Sequence, residues 1–155
     1  MINIDPPSSS LALDALSTLS KSGLARFLKR AQGLVALEGE VDVLLTSDAE
    51  IKRLNKAFRG KNKATDVLSF PAPGEAEGVA GDLAVSLDTA ALQAQSHGHS
   101  LREEVRILLL HGLLHLAGED HEVDAGEMAS REMALRRELK LPVGLIERSS
   151  ARARR

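Results

Sequence analysis

The stretch Ile107-Leu108-Leu109-Leu110-His111-Gly112-Leu113-Leu114-His115-Leu116-Ala117 limits the possible folds of this chain more than any other. As a helix it is apolar almost all the way round, so it must be packed on most of its sides. Such a helix belongs inside a fold. It also carries His111 and His115, one turn apart on the same face. Burying two imidazoles among leucines is costly unless they gain partners, and one metal ion can partner both. Gly118 then permits a backbone turn that most residues resist. That turn can swing His121 back as a third nitrogen. Three protein ligands with a fourth position left to water is the arrangement of a catalytic zinc site. The plainer alternative is a pair of hydrogen-bonded core histidines, but spacing, glycine and apolar setting together favour the metal.

Composition sets the frame. A chain of 155 residues, 43% hydrophobic and 27% charged, fits one globular domain over residues 1–155, with a loose basic tail from about residue 147. There is no cysteine, so a metal site has to use His, Asp or Glu. The amino terminus lacks the charged start and apolar run of a secretory signal, and no stretch reaches the length of a membrane span. The expectation is a cytoplasmic protein with no membrane partner. Phe27, Phe58 and Phe70 are the only aromatic residues, which leaves few rings for base stacking.

The net charge is −2, from 20 basic and 22 acidic residues, so the chain is not basic overall. Its charges are unevenly placed. Residues 52–63 hold six basic groups and no acid, residues 119–127 hold five acids beside the histidines, and Arg148, Arg152, Arg154 and Arg155 lie near the carboxyl end.

Periodicity supplies a coarse element order. Ile2–Ile4 reads as an edge strand ended by Pro6-Pro7. Leu11–Leu37 reads as one or two helices interrupted near Ser22-Gly23. Val41–Thr46 is a strand, and Ser47 starts a helix to about Phe58. Val67–Pro71 is a short strand, residues 72–80 an exposed loop, and Asp82–Leu87 another strand. Asp88 is expected to cap a helix to about Ser96. Ser100 caps the long buried helix, whose start at Arg102–Glu104 is expected to be exposed. A last helix from about Asp124 to Leu139 shows Met128, Met133, Leu135 and Leu139 on its apolar side, with Pro142 and Gly144 ending it and a loose tail after Ile146. The fold class expected is α+β: a small mixed sheet of about four strands packed with helices, around a buried helix carrying metal ligands.

The histidine spacing is that of metzincin proteases, which place a glutamate directly after the first histidine as general base. Here that position is Gly112. Peptide hydrolysis is thereby weakened, although Glu119 or Asp120 could stand in. A zinc ion also acidifies water to about pKa 7 and polarises phosphoryl oxygens. Cleaving a phosphodiester then needs positive groups against the transition-state charge. Arg59 is the leading candidate, because a guanidinium holds phosphate oxygens bidentately, with Lys61 beside it. The alternative for this segment is a solvated helix face followed by a polar loop. Asp120 reads as a carboxylate orienting a ligand, or as part of the turn. Thr65-Asp66 either lines the pocket or caps the turn into Val67. His97 and His99 read as solvated loop residues.

The string His111–His121 resembles the H-G-x-L-H-L-x-G-x-D-H signature of the YbeY family of bacterial single-strand-specific endoribonucleases. Asn55, Phe58–Lys61 and Thr65–Pro71 resemble that family's second block, and Gly81–Ser86 its third. The resemblance covers about Val41 to Leu139. It implies one zinc ion on His111, His115 and His121, and a role for Arg59 in RNA cleavage. It further implies single-stranded RNA as substrate, maturation of the 3′ end of small-subunit rRNA, ribosome quality control, and ribosomal or small-subunit protein partners. DNA is not expected as a substrate. Glu119 and Arg106 stand where family members often carry Tyr and His. A zinc peptidase with a displaced base, and a non-catalytic ribosome-assembly factor with a structural metal, are the alternatives. Nickel, copper or iron would also suit three imidazoles.

Overall fold

The computed structural model describes residues 1–74, 77–120 and 124–143. Its elements in chain order are β1 (Ile2–Ile4), α1 (Ser10–Ala15), α2 (Lys21–Val35), β2 (Glu40–Thr46), α3 (Asp48–Arg59), β3 (Val67–Pro71), β4 (Val79–Ser86), α4 (Leu87–His97), α5 (Leu101–Leu116) and α6 (Glu127–Glu138). The strands form one mixed sheet in the order β1-β2-β4-β3. β1, β2 and β4 run parallel, and β3 pairs antiparallel to β4 as an outer strand. The expected α+β class, a small mixed sheet of about four strands packed with helices, is the one observed.

Strand alternation divides the core in two. In β2, Val41, Val43 and Leu45 face the main core, with Leu83 and Val85 of β4 beside them. Leu44 points the other way, to a smaller cluster of Ile51, Leu68 and Ala84. Helix α3 therefore covers one face, and the remaining helices gather on the other. α5 is the central helix of that larger layer: Ile107 to Leu110, Leu113 and Leu114 are all fully buried. It packs on β3 and β4 and is flanked by α2, α4 and α6. Gly112 explains how it sits so close. A Cβ at that position would lie 2.7 Å from Leu83 Cδ2 and 3.4 Å from the Ser69 hydroxyl, so any side chain there would have to push Leu83 aside.

Local chemistry corrects several boundaries. The break in the first helical stretch falls at Leu19-Ser20, where Ser20 caps α2 by accepting from Gly23 N–H; Ser22 and Gly23 lie inside its first turn. β4 begins at Val79, so the exposed connection is shorter than expected. Asp88 does not cap α4; the Ser86 hydroxyl does, accepting from Thr89 N–H. Ser100 caps α5 in a full capping box with Glu103. The start of α5 is not exposed throughout, since Glu104 is completely buried and lies 3.4 Å from Nδ1 of His99. The His99 side chain is correspondingly only 6% exposed, which overturns its reading as solvated. α6 starts at Glu127, and Asp124 accepts from Gly126 and Met128 N–H just ahead of it. Gly144, Ile146 and the Arg-rich tail lie outside the described residues. No helix among those residues is long and apolar enough to cross a membrane.

Asp88 has a different task. Its buried carboxylate accepts the backbone N–H groups of Ser8 at 2.9 Å, Ser9 at 2.8 Å and Asp48 at 2.9 Å, and so ties the amino-terminal segment and the start of α3 to α4. Burial alone would raise its pKa, but these donors together hold it below the ordinary aspartate value of 3.8. A carboxyl depressed in the folded state contributes stability that is complete above the unfolded value and lost as pH falls through the folded one. Asp88→Asn should therefore cost about 2 kcal/mol at pH 7, because an amide nitrogen then faces a backbone donor. In urea titrations the gap between variant and wild type should close as pH drops below about 4. An undiminished gap at pH 3 would exclude the carboxylate as its source.

Candidate functional site

The last turns of α5 bring His111 and His115 to the surface at the outer edge of the sheet. Both are half-buried, with ring centroids 4.7 Å apart and planes at 73°. Their Nε2 atoms converge to 3.1 Å. Two imidazole nitrogens on one tetrahedral zinc, with bonds of about 2.0–2.1 Å, are separated by about 3.3 Å. The pair therefore has the spacing of adjacent metal ligands.

The other nitrogen of His111 explains its orientation. Nδ1 lies 2.6 Å from Oε1 of Glu132, on α6. The second carboxylate oxygen of Glu132 accepts from Arg136, one turn further on. Arg136 is only 1% exposed and is always protonated, so Glu132 is held as a carboxylate. A carboxylate can only accept, hence Nδ1 of His111 carries the proton and Nε2 presents its lone pair. Fixing a ligand histidine by a carboxylate on its far nitrogen is the usual second layer of a metal site.

Neither Glu132 nor Arg136 stood out in the sequence. α6 was expected to turn Met128, Met133, Leu135 and Leu139 inward. Met128 and, at the C-cap, Leu139 are buried as expected and Leu135 packs against the core, but within the helix the other buried residues are Glu132 and Arg136, in a stripe with Met128 at i, i+4 and i+8. The available signal was an acid–base pair one turn apart in line with a methionine, which a charged helix surface also shows. Glu132→Gln should weaken zinc binding by about 10–100-fold. It should also destabilise the fold by about 3 kcal/mol, because Arg136 keeps its buried charge without the counter-ion. Competition with a chromophoric chelator reads the first effect and urea unfolding the second; unchanged zinc affinity would remove Glu132 from the site.

The histidine pair looks into an open cleft of about 900 Å³. Its walls come from α3, the 60–66 connection, β3, α4 and α5. Arg59, Lys61 and Lys63 line it, and all three are exposed. Arg59 is the last residue of α3, after which Gly60 turns the chain with a φ of +70°. Asn55, buried beneath, donates to the Lys63 carbonyl at 2.9 Å and so shapes the basic connection. Of the six basic groups in residues 52–63, Arg53 instead pairs with Glu50 away from the cleft. Thr65-Asp66 does both things expected of it: Asp66 Oδ1 accepts from Val67 N–H at 2.8 Å, and both residues line the cleft. Phe58 and Phe70 meet edge to face there, with centroids 5.6 Å apart, and Phe58 is 69% exposed.

Asp120 lines the same cleft, whereas Glu119 pairs with Arg131. Gly118 adopts the expected left-handed turn, with a φ of +93°. His121, the expected third ligand, lies outside the described residues. Among those residues no group of three His, Asp or Glu side chains is placed to hold a metal ion together.

The chain is thus an α+β protein whose cleft, lined by Arg59, Lys61 and Lys63, opens onto a convergent histidine pair. Comparison with known proteins narrows that class. Residues 7–140 match the family model described as endoribonuclease YbeY, and the chain belongs to this family. It is 53% identical over 140 residues to the endoribonuclease YbeY of Koribacter versatilis, covering 90% of this chain and 91% of that one. It is 52% identical over 134 residues to the corresponding protein of Solibacter usitatus, covering 86% and 89%. The solution structure of TM1509 from Thermotoga maritima is similar with a TM-score of 0.53 and 30% identity, over 100% of this chain and 96% of that one.

Proposed function

We propose that this protein is a zinc-dependent endoribonuclease that cuts single-stranded RNA, acting in rRNA processing at the 3′ end of small-subunit rRNA and in ribosome quality control. The observation that carries the reading is the 3.1 Å convergence of the two Nε2 atoms at a cleft lined by Arg59, Lys61 and Lys63. Membership of a family described as endoribonucleases supports RNA as the substrate class. His111 and His115 are the described residues that would hold zinc, with His121 proposed as the third ligand. When bound, zinc supplies Lewis acidity toward a phosphoryl oxygen and lowers the pKa of water to about 7.

The chain's own groups do the rest. Arg59 meets a non-bridging phosphate oxygen and offsets the charge that builds there, with Lys61 and Lys63 steering the strand. The exposed Phe58 ring, braced by Phe70, offers a face to an unstacked base, which a duplex does not present. Glu132 keeps the His111 lone pair aimed at the cleft. Ribosomal or small-subunit proteins as partners, and work in the cytoplasm, follow from the rRNA substrate.

Arg59→Ala should lower kcat/KM on a single-stranded oligonucleotide by about 10²–10³-fold, the usual cost of losing one preorganised charge partner. Its fold should be unchanged, since Arg59 is exposed. Full RNA cleavage by this variant would overturn the phosphate role. The same preparations should leave casein intact; chelator-sensitive casein cleavage without RNA cleavage would move the reading to a peptidase.

A further inference from the structure

A second cavity, of about 450 Å³, opens between α2, α5 and the end of α6. Four arginines border it: Arg26 and Arg30 from α2, Arg102 and Arg106 from α5. Ser20 and Gly23, at the start of α2, complete one wall. Arg106 and His111 are separated by about 140° around α5, so this cavity and the histidine cleft lie on different sides of that helix.

Four guanidinium groups in one place repel each other unless something negative answers them. The ion-paired arginines among the described residues are Arg53, Arg131 and Arg136, none of which lines this cavity. Among the described residues Arg30 donates to the Glu138 carbonyl, at 3.1 Å. Arg106 is held over the Phe27 ring, 5.1 Å from its centroid, and its buried Nε finds no hydrogen-bond acceptor among the described residues. Burial, together with the charges of Arg102 and Arg26, pushes the Arg106 pKa down, so its cation is held at a cost. α2 is 15 residues long; the Ser20 hydroxyl takes its Gly23 N–H, but no acidic residue in its first turn answers the partly positive end of the helix. Gly23 lies beside both the Ser20 cap and Arg106; a Cβ there would sit 3.4 Å from the Ser20 hydroxyl and 3.7 Å from an Arg106 guanidinium nitrogen.

We propose that this arginine cavity is a phosphate-binding site, separate from the histidine cleft. Its ligand is a phosphate group, delivered either by an RNA strand that extends beyond the cleft or by a free phosphate. Arg106 forms the fixed floor, Arg26 and Arg102 close over the anion, and the α2 amide groups donate to it. The RNA source rests on the proposed endoribonuclease function; phosphate binding itself does not.

The test uses the full-length protein, inorganic phosphate followed by calorimetric titration, and the exposed double variant Arg26→Gln/Arg102→Gln beside Arg106→Gln. Wild type should bind one phosphate, and each variant should bind it at least about tenfold more weakly, while Arg59→Ala binds it like wild type. The double variant changes only exposed side chains, so it stays informative if Arg106→Gln folds poorly. Equal phosphate affinity in wild type and the double variant overturns the proposal. RNA binding against salt then identifies the source. A log–log slope lowered by about one in the double variant, with cleavage of a short oligonucleotide unchanged, assigns the site to an RNA phosphate. An unchanged slope with phosphate binding lost assigns it to free phosphate. Phosphate binding lost in the double variant of a protein that cleaves no RNA would leave this site standing and remove the endoribonuclease reading alone.

Discussion

His115→Ala is expected to lose zinc and RNA cleavage together while keeping its fold. Removing an outer partner of a metal ligand already costs about 10–100-fold in affinity or activity, so losing a ligand outright should exceed about 100-fold. The ring is half-buried at the end of α5, and the leucines that hold the helix lie on its other sides. Truncation there should change stability by no more than about 1 kcal/mol when both proteins are compared without metal. The contrast separates a metal ligand from a core histidine. A core role predicts the reverse pattern: marked destabilisation with activity surviving in the folded fraction. Metal content by elemental analysis, urea unfolding in chelator and oligonucleotide cleavage distinguish the two.

Gly112→Glu is expected to have the largest effect on stability. The substitution writes the protease sequence H-E-x-x-H into α5, and by sequence logic alone it would install the missing general base. The packing forbids it. The new Cβ would lie 2.7 Å from Leu83 Cδ2 and 3.3 Å from Cδ1, and Leu83 is itself fully buried against the sheet. Overpacking a tight core costs about 1–3 kcal/mol. Forcing a carboxylate between helix and sheet adds several more unless it finds a partner. The sum, about 4 kcal/mol or more, approaches the whole stability of an ordinary domain. Gly112→Ala meets the same Leu83 contact but recovers helix propensity, so a net loss of about 1 kcal/mol is expected. Urea or thermal unfolding of the two variants gives the comparison. A stable Gly112→Glu protein that cleaves casein would show that the position faces the cleft, contrary to the packing seen here.

Gly112 also shows how far the sequence could be read. Its lack of a side chain was legible as a missing base, and that turned the reading from peptides toward RNA. Its packing reason was not, because Leu83 lies 29 residues earlier and meets it only through the sheet. The apolar run from Ile107 gave away the central helix because no other placement buries so many leucines. Strand alternation gave β2 and β4 for a similar reason. Capping was less readable where two candidates adjoined. Ser86 and Asp88 are both good caps, and Asp88 was drawn off by backbone donors from distant segments. The polar support of His111 was hidden altogether. Glu132 and Arg136 look like a solvated pair on a helix surface, and only the docking of α6 against α5 turns them inward. Contacts made across long sequence separations between charged residues leave no periodic trace.

The central claim, that the histidine pair is part of a metal site on which RNA cleavage depends, is tested most directly by measuring both in one preparation. The purified protein is assayed for bound metal and for cleavage of single-stranded RNA, stripped with chelator, assayed again, and then reloaded with zinc. About one zinc per chain is expected, with cleavage lost on stripping and restored as zinc returns. RNA cleavage that persists undiminished in fully stripped protein would contradict it.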